Sequence, residues 1–397
     1  MKLTRAEKWL LFVLAMIQFS HIVDFMIMMP LGPKLMRIFS IKPEQFGILV
    51  SAYTFAAGTS GILASFFMDR YDRKNSLLFF FLGFWLGTFG CAYAPNYEIL
   101  LAARIFTGAF GGVLGSLILA IVGDVIPAKK RGVAMGFVMS AFSAASIFGV
   151  PFSLKLADYF DWHAPFLFLG ALGFFMLGVI VKFVPPVRGH LEKQTGEAVL
   201  KRIWKLISDS EPQRALWFML LLMMAQFLVI PFLSPSLVAN AGIPEDQLYL
   251  IYLFGGSCSL VVSPFAGRLS DRYGRVKIFW IGAVLSLIPM ILVTHLGLTP
   301  LPLILLITSS FFIFSTARMV PAMAMVTSSV TLARRGSFMS LVSSVQQFSA
   351  AIGSLIAGHI VVQGEGNHFL HYEVVGYLAV ATSIVSMYMA SRIRMVE

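Results

Sequence analysis

Cysteine, charge and catalytic motifs are what this chain lacks. Its two cysteines, Cys91 and Cys258, fall in apolar segments of different halves, and neither belongs to a CxxC or Cys/His cluster. A disulfide framework, structural zinc and iron–sulfur ligation are therefore not expected, nor is any other metal or cofactor. Only 12% of the residues are charged, against roughly 25% in an average soluble domain, so water is not the main solvent. An HExxH pattern, a phosphate loop of the G-x-x-x-x-G-K type and a nucleophile elbow are all missing, and an enzyme is not expected. A signal peptide is not expected either. Lys2, Arg5 and Lys8 precede the first apolar segment, but that segment is too long and no small-x-small cleavage site follows.

What remains is apolar. Hydrophobic residues make up 58% of the 397, and the mean hydropathy is +0.83. Stretches such as Trp9 to Met29 and Phe166 to Val184 are apolar all round, as in helices surrounded by lipid. Windows of about 20 apolar residues predict membrane helices at 9–29, 46–68, 76–94, 98–122, 133–155 and 165–184, then at 216–239, 248–269, 278–296, 302–327, 338–362 and 374–391. The expected fold class is an all-α membrane protein. Two six-helix bundles, residues 1–184 and 215–397, flank a polar linker at 185–214.

The net charge of +11 is sorted by membrane side. Of the 30 lysines and arginines, Lys34, Arg37, Lys42 and Lys155 fall on the side opposite the amino terminus, Arg104 and Arg318 fall inside spans, and the rest share the amino-terminal side. Basic residues are retained in the cytoplasm during insertion. Both termini and the linker are thus expected to be cytoplasmic, in a plasma or bacterial inner membrane. Charge distributed in this way does not suit nucleic acid. In the linker, Lys193, Lys201, Arg202 and Lys205 surround Val199, Leu200, Ile203, Trp204 and Ile207. That is the pattern of an amphipathic helix on the inner leaflet, acting as a tether or as a regulatory surface.

One charged turn occurs in each half, as Gly267-Arg-Leu-Ser-Asp271-Arg272-Tyr-Gly274-Arg275 and as Ser65-Phe-Phe-Met-Asp69-Arg70-Tyr-Asp72-Arg73. A second pair, Ala128-Lys-Lys-Arg131-Gly132 and Ala333-Arg-Arg335-Gly336, supports a duplication. The charged turns resemble the signature of the major facilitator superfamily, Gly-x-x-x-Asp-Arg-x-Gly-Arg-Lys, which lies between the second and third helices and often recurs between the eighth and ninth. Residues 267–275 match it fully, whereas Ser65 and Asp72 replace the two glycines of the first copy. Arg104-Ile-Phe-Thr-Gly108 is similar to the family's Arg-x-x-x-Gly motif, and Ala145-Ser-Ile-Phe-Gly149-Val-Pro151 is similar to a displaced form of the antiporter motif Gly-x-x-x-Gly-Pro. The resemblance covers nearly the whole chain and points to the 12-span drug:proton antiporter branch.

By that resemblance, Asp69 and Asp271 face the amino ends of the eleventh and fifth helices, and the loops form a paired cytoplasmic latch. Its members would be Asp69, Arg70, Arg73, Asp124, Gly267, Asp271, Arg272, Gly274 and Arg275, with Asp124 as partner of Arg73. Individual arginines could instead serve only to hold loops inside. With the first copy degraded at Ser65 and Asp72, substitution of Asp271 is expected to disturb conformational balance more than substitution of Asp69.

Asp24 is the only acidic residue well inside a predicted span, and an intramembrane carboxylate suggests a proton site. His21, one turn earlier, offers a second titratable group, a hydrogen-bond partner or simply a packed side chain. Arg104 lies at a matching depth, so an Asp24–Arg104 pair is expected, either broken during transport or permanent. Arg318, deep in the tenth span, has no acidic companion; it binds an anionic substrate or extends to the inner headgroups. Gln226, Gln346 and Gln347 line a cavity or join helices, and Tyr53 and Tyr252 wall a cavity or pack.

The expected function is secondary active export of a small organic solute or drug, driven by proton entry through Asp24 and His21. The expected partners are solute, protons and lipid, around a monomer. The alternatives are a proton-coupled importer, an organic-anion or sugar transporter and, in another class, a transport-inactive membrane sensor or interaction protein.

Overall fold

The structure, a computed structural model, describes residues 3–188, 206, 208–364 and 368–394. Lys193, Lys201, Arg202 and Lys205 of the expected interfacial helix lie outside the described residues. The helices are α1 (Arg5–Ile27), α2 (Gly32–Phe39), α3 (Pro43–Ser65), α4 (Arg73–Ala92), α5 (Tyr97–Val125), α6 (Arg131–Ala144), α7 (Val150–Tyr159), α8 (Ala164–Phe183), α9 (Ser210–Ala239), α10 (Leu248–Tyr273), α11 (Arg275–Thr294), α12 (Leu301–Ser328), α13 (Leu332–Ile360) and α14 (Tyr372–Ala390). A π-turn, Ala145–Gly149, joins α6 to α7 into one span.

Among the described residues, twelve helical spans are long and apolar enough to cross a membrane, and each overlaps an expected one. Their outer surfaces carry large apolar side chains. Phe174, Phe175, Ile288 and Leu306 are each at least 60% exposed, a surface that hydrocarbon solvates and water does not. Two elements escaped the sequence windows because they are short. They are α2 and an antiparallel pair, β1 (Val362–Gln363) with β2 (Phe369–Leu370).

The chain forms two compact units, with borders after Ile27 and, inside α3, after Ser51. The first contains α1, α3 from Ala52 onward and α4 to α8, packed around Leu14, Ile17, Phe81, Leu114, Leu117 and Ile180. The second contains residues 28–51 and α9 to α14, packed around Phe218, Met219, Phe279, Met325 and Phe338. Residues 28–51 thus group with the second unit and not with the amino-terminal bundle expected for residues 1–184, for local reasons. Phe46 meets Phe232 edge-on at 5.7 Å, Glu44 lies 3.3 Å from His359, and Arg37 pairs with Glu245.

Candidate functional site

The first unit buries an ion pair. Asp24 of α1 is 0% exposed and Arg104 of α5 is 1% exposed. Arg104 Nη1 donates to Asp24 Oδ2 at 2.7 Å and to the Asp24 carbonyl at 3.3 Å, while Thr88 Oγ1 of α4 donates to Asp24 Oδ1 at 3.1 Å. The guanidinium also lies 4.3 Å from the Tyr53 ring centroid, and Phe25 stacks on that ring at 5.3 Å. Buried charges persist when they are paired and further hydrogen-bonded, and this carboxylate has both kinds of support.

The glycine motif of α5 explains how Tyr53 reaches the pair. A Cβ on Gly108 would run into the Tyr53 backbone carbonyl, and one on Gly112 into the Ala57 backbone. Backbone atoms cannot swing aside, so α3 and α5 approach closely because both positions lack a side chain.

His21 does not support Asp24 as a hydrogen-bond partner. The Asp24 carboxylate turns to α4 and α5, whereas His21 lies against Phe84, ring centroids 6.0 Å apart, with both ring nitrogens buried and unpartnered. Gln18 Oε1, Tyr53 OH and Arg104 Nε are also buried without partners. Buried orphaned polar atoms are scarce in proteins, and these lie on or beside the face of α1 that leads to Asp24. Gln18 escaped the sequence reading although its spacing from His21, one helical turn, was the available signal. Thr88 had no such signal, since its distance to Asp24 is set by packing alone.

The second unit holds a cation on a corresponding set of helices. Arg318 of α12 is 1% exposed. Its Nη2 donates to Gln226 Oε1 of α9 at 2.9 Å, and its Nη1 donates to Ser383 Oγ of α14 at 3.1 Å and Ser286 Oγ of α11 at 3.3 Å. The expected extension to headgroups is corrected, because the guanidinium points into its bundle and is satisfied there. Gln226 is half-buried and serves as its partner. Gln346 turns its amide to the sulfurs of Met219 and Met323 at 3.4 and 3.5 Å, and Gln347 is half-buried on the same helix. Tyr252 is buried with its hydroxyl 2.9 Å from Ser234, which favours its packing role.

The two charged turns have different backbones. Gly274 adopts φ +95°, a conformation that side chains resist, and so α10 passes into α11 without a further element. Gly267 is under no such demand, since a Cβ there would meet only Val320 at 3.8 Å. Asp271 and Arg272 are exposed, with Arg272 5.2 Å from the Tyr273 ring centroid. Arg275 reaches Ser328 at the end of α12. In the first unit a 3₁₀ turn, Met68–Arg70, contains Asp69 and an exposed Arg70, and Arg73 Nε donates to Asp124 Oδ2 at the end of α5 at 3.1 Å.

Asp72 is not a degraded position. It caps α4 by accepting from the Lys74 amide at 2.8 Å, and it also accepts from the Val187 amide at 3.2 Å and Arg188 Nε at 2.9 Å. A glycine there could make none of these bonds. Burial raises the affinity of this carboxyl for a proton, but the Arg188 side chain and the two amides outweigh it and hold Asp72 below the usual carboxylate range. Its contribution to stability is therefore present above the ordinary value of 3.8 and lost as the pH falls below it. Asp72→Asn is expected to lower stability by about 1 kcal/mol at neutral pH and by less near pH 3, where the carboxyl begins to take up its proton. Thermal unfolding in detergent at the two pH values checks this; a deficit of equal size at both would contradict it.

The sequence matches the Major Facilitator Superfamily over residues 14–262 and again over 216–397. It is 25% identical over 354 residues to the uncharacterized MFS-type transporter YceJ of Bacillus subtilis (strain 168), covering 89% of this chain and 88% of that protein. It is also 25% identical over 374 residues to the inner membrane transport protein YdhP of Escherichia coli (strain K12), covering 91% of each. The crystal structure of a D-xylose-proton symporter has the same fold, with a TM-score of 0.77 at 16% identity over 96% of this chain and 97% of that one.

Proposed function

The chain belongs to the Major Facilitator Superfamily, and on that premise we propose that it exports a small organic solute in exchange for entering protons, with Asp24 as the coupling group and both termini in the cytoplasm. The observation that carries this reading is the fully buried Asp24 carboxylate, held by Arg104 at 2.7 Å. A proton and the guanidinium compete for one carboxylate. Breaking a buried pair by removing one partner costs on the order of 3–5 kcal/mol, so Arg104 lets go when a proton takes its place. Each of the two occupancies of Asp24 then favours its own conformation, as alternating access requires.

Two neighbouring features support solute movement at this place. The unpartnered Gln18, His21 and Tyr53 groups offer hydrogen bonds to a polar guest. The π-turn, a distortion frequent at functional sites, packs Gly149 directly on Val23, the residue before Asp24. Movement of the α6–α7 span is thereby transmitted to α1.

Everted membrane vesicles acidified inside by respiration test the direction and the coupling ion. Addition of an exported solute from a panel of drugs, sugars and organic acids is expected to dissipate the interior acid gradient in vesicles containing the protein and not in those lacking it. Solute entry that leaves the gradient intact would remove proton coupling. Gradient collapse only when the solute is loaded inside would indicate import.

A further inference from the structure

Each unit buries an arginine in a polar node built on helices of the same order in the repeat, the second node lying deeper along its helix than the first. In the first, α1, α4 and α5 supply Asp24, Thr88 and Arg104. In the second, the helices of the same order in the repeat, α9, α11 and α12, supply Gln226, Ser286 and Arg318. A buried cation recurs, but the first is held by the Asp24 carboxylate, to which Thr88 donates, whereas the second donates to the Gln226 amide and to the Ser286 and Ser383 hydroxyls.

Arg318 is thus a buried cation whose partners are neutral. Its guanidinium keeps its charge, and among the described residues no carboxylate pairs with it; Gln226, Ser286 and Ser383 supply dipoles only. It lies about 25 Å along α12 from the Leu301 end and about 15 Å from the Ser328 end, too deep for headgroups to compensate it. An ionisable group at such depth is a functional site by default, and transporter sites lie near the midplane.

We infer that Arg318, with Gln226, Ser286 and Ser383 around it, is an anion subsite that receives a carboxylate or phosphate group. This rests on the proposal that the chain moves an organic solute, and it makes that solute an acid. A guanidinium engages an oxyanion through two parallel N–H donors. The incoming oxygen takes the position of Gln226 Oε1, and the displaced amide turns its own N–H groups to the guest. The second unit then acquires from the solute the negative charge that the first unit has in its own Asp24 carboxylate. A small inorganic anion has the same chemistry and is the other source to be separated.

The test is the unfolding midpoint of purified protein in detergent, titrated at constant ionic strength with benzoate, succinate, inorganic phosphate or chloride, and with benzamide as the uncharged control. At least one anion is expected to raise the midpoint saturably while benzamide does not. In Arg318→Gln the anion should bind at least tenfold more weakly. Gln226→Glu provides a variant in which the site is filled rather than removed: it rebuilds the carboxylate–guanidinium pair of the first unit, and should raise the anion-free midpoint while abolishing the anion response. A response to benzoate or succinate identifies an organic acid as the guest, and a response to chloride or phosphate alone assigns the site to an inorganic anion. No response to any anion, or an undiminished response in Arg318→Gln and Gln226→Glu, overturns the inference. The proton reading is judged separately in the everted vesicles, where a failure of solute to dissipate the acid gradient would leave a saturable, Arg318-dependent anion response in detergent standing.

Discussion

Asp24→Asn is expected to yield a folded protein that exchanges solute across the membrane but no longer moves it against a gradient. The second unit shows why folding should survive. Gln226 already serves as an amide acceptor for a buried arginine at 2.9 Å, so an asparagine at position 24 can accept from Arg104 in the same way, and its remaining geometry suits Thr88. What the substitution removes is the charge and the ability to carry a proton. In proteoliposomes with an imposed pH difference, each pH unit supplies about 1.4 kcal/mol per proton, equivalent to a tenfold solute ratio. The unsubstituted protein should approach that ratio and the variant should stay at unity, with solute-for-solute exchange retained. Gradient-driven accumulation in Asp24→Asn would remove this residue from the coupling step.

The second large effect is on stability. Arg104→Gln leaves Asp24 buried with only Thr88 as a side-chain donor, and the loss is expected to be about 3–5 kcal/mol. The double variant Asp24→Asn, Arg104→Gln places two neutral amides in the same space and should recover most of that loss. Arg104→Lys keeps the charge but gives up the planar fork and the stack on Tyr53 at 4.3 Å, so it should fall between. Denaturant unfolding of the four proteins in detergent measures the coupling. A double variant as unstable as Arg104→Gln alone would show that the pair is not what holds these helices.

Much of the architecture was legible in the residues, and the reason is physical. Whether a segment spans a membrane depends on its own length and apolarity, which are local properties, so all twelve spans were found, while α2 and the β1–β2 pair were too short to register. The depth of Asp24 and Arg104 followed from helical rise along each span, and their pairing from matching depths. The site was less legible because depth says nothing about rotation. His21 and Asp24 are one turn apart, yet α1 turns one to the aromatic ring of Phe84 and the other to a cation.

The sequence by itself determined a duplicated, twelve-span membrane protein of the major facilitator type, with few charges inside it and those identifiable by position. Only the tertiary structure decided which partners those charges have. It added Thr88 to the expected Asp24–Arg104 pair, surrounded Arg318 with an amide and two hydroxyls, placed residues 28–51 in the second unit, and made Asp72 a cap and clamp where a motif has glycine. Partner choice depends on how closely helices approach and how each is turned about its axis. Those are set by contacts between distant segments, such as Gly108 against Tyr53, which composition and periodicity do not encode.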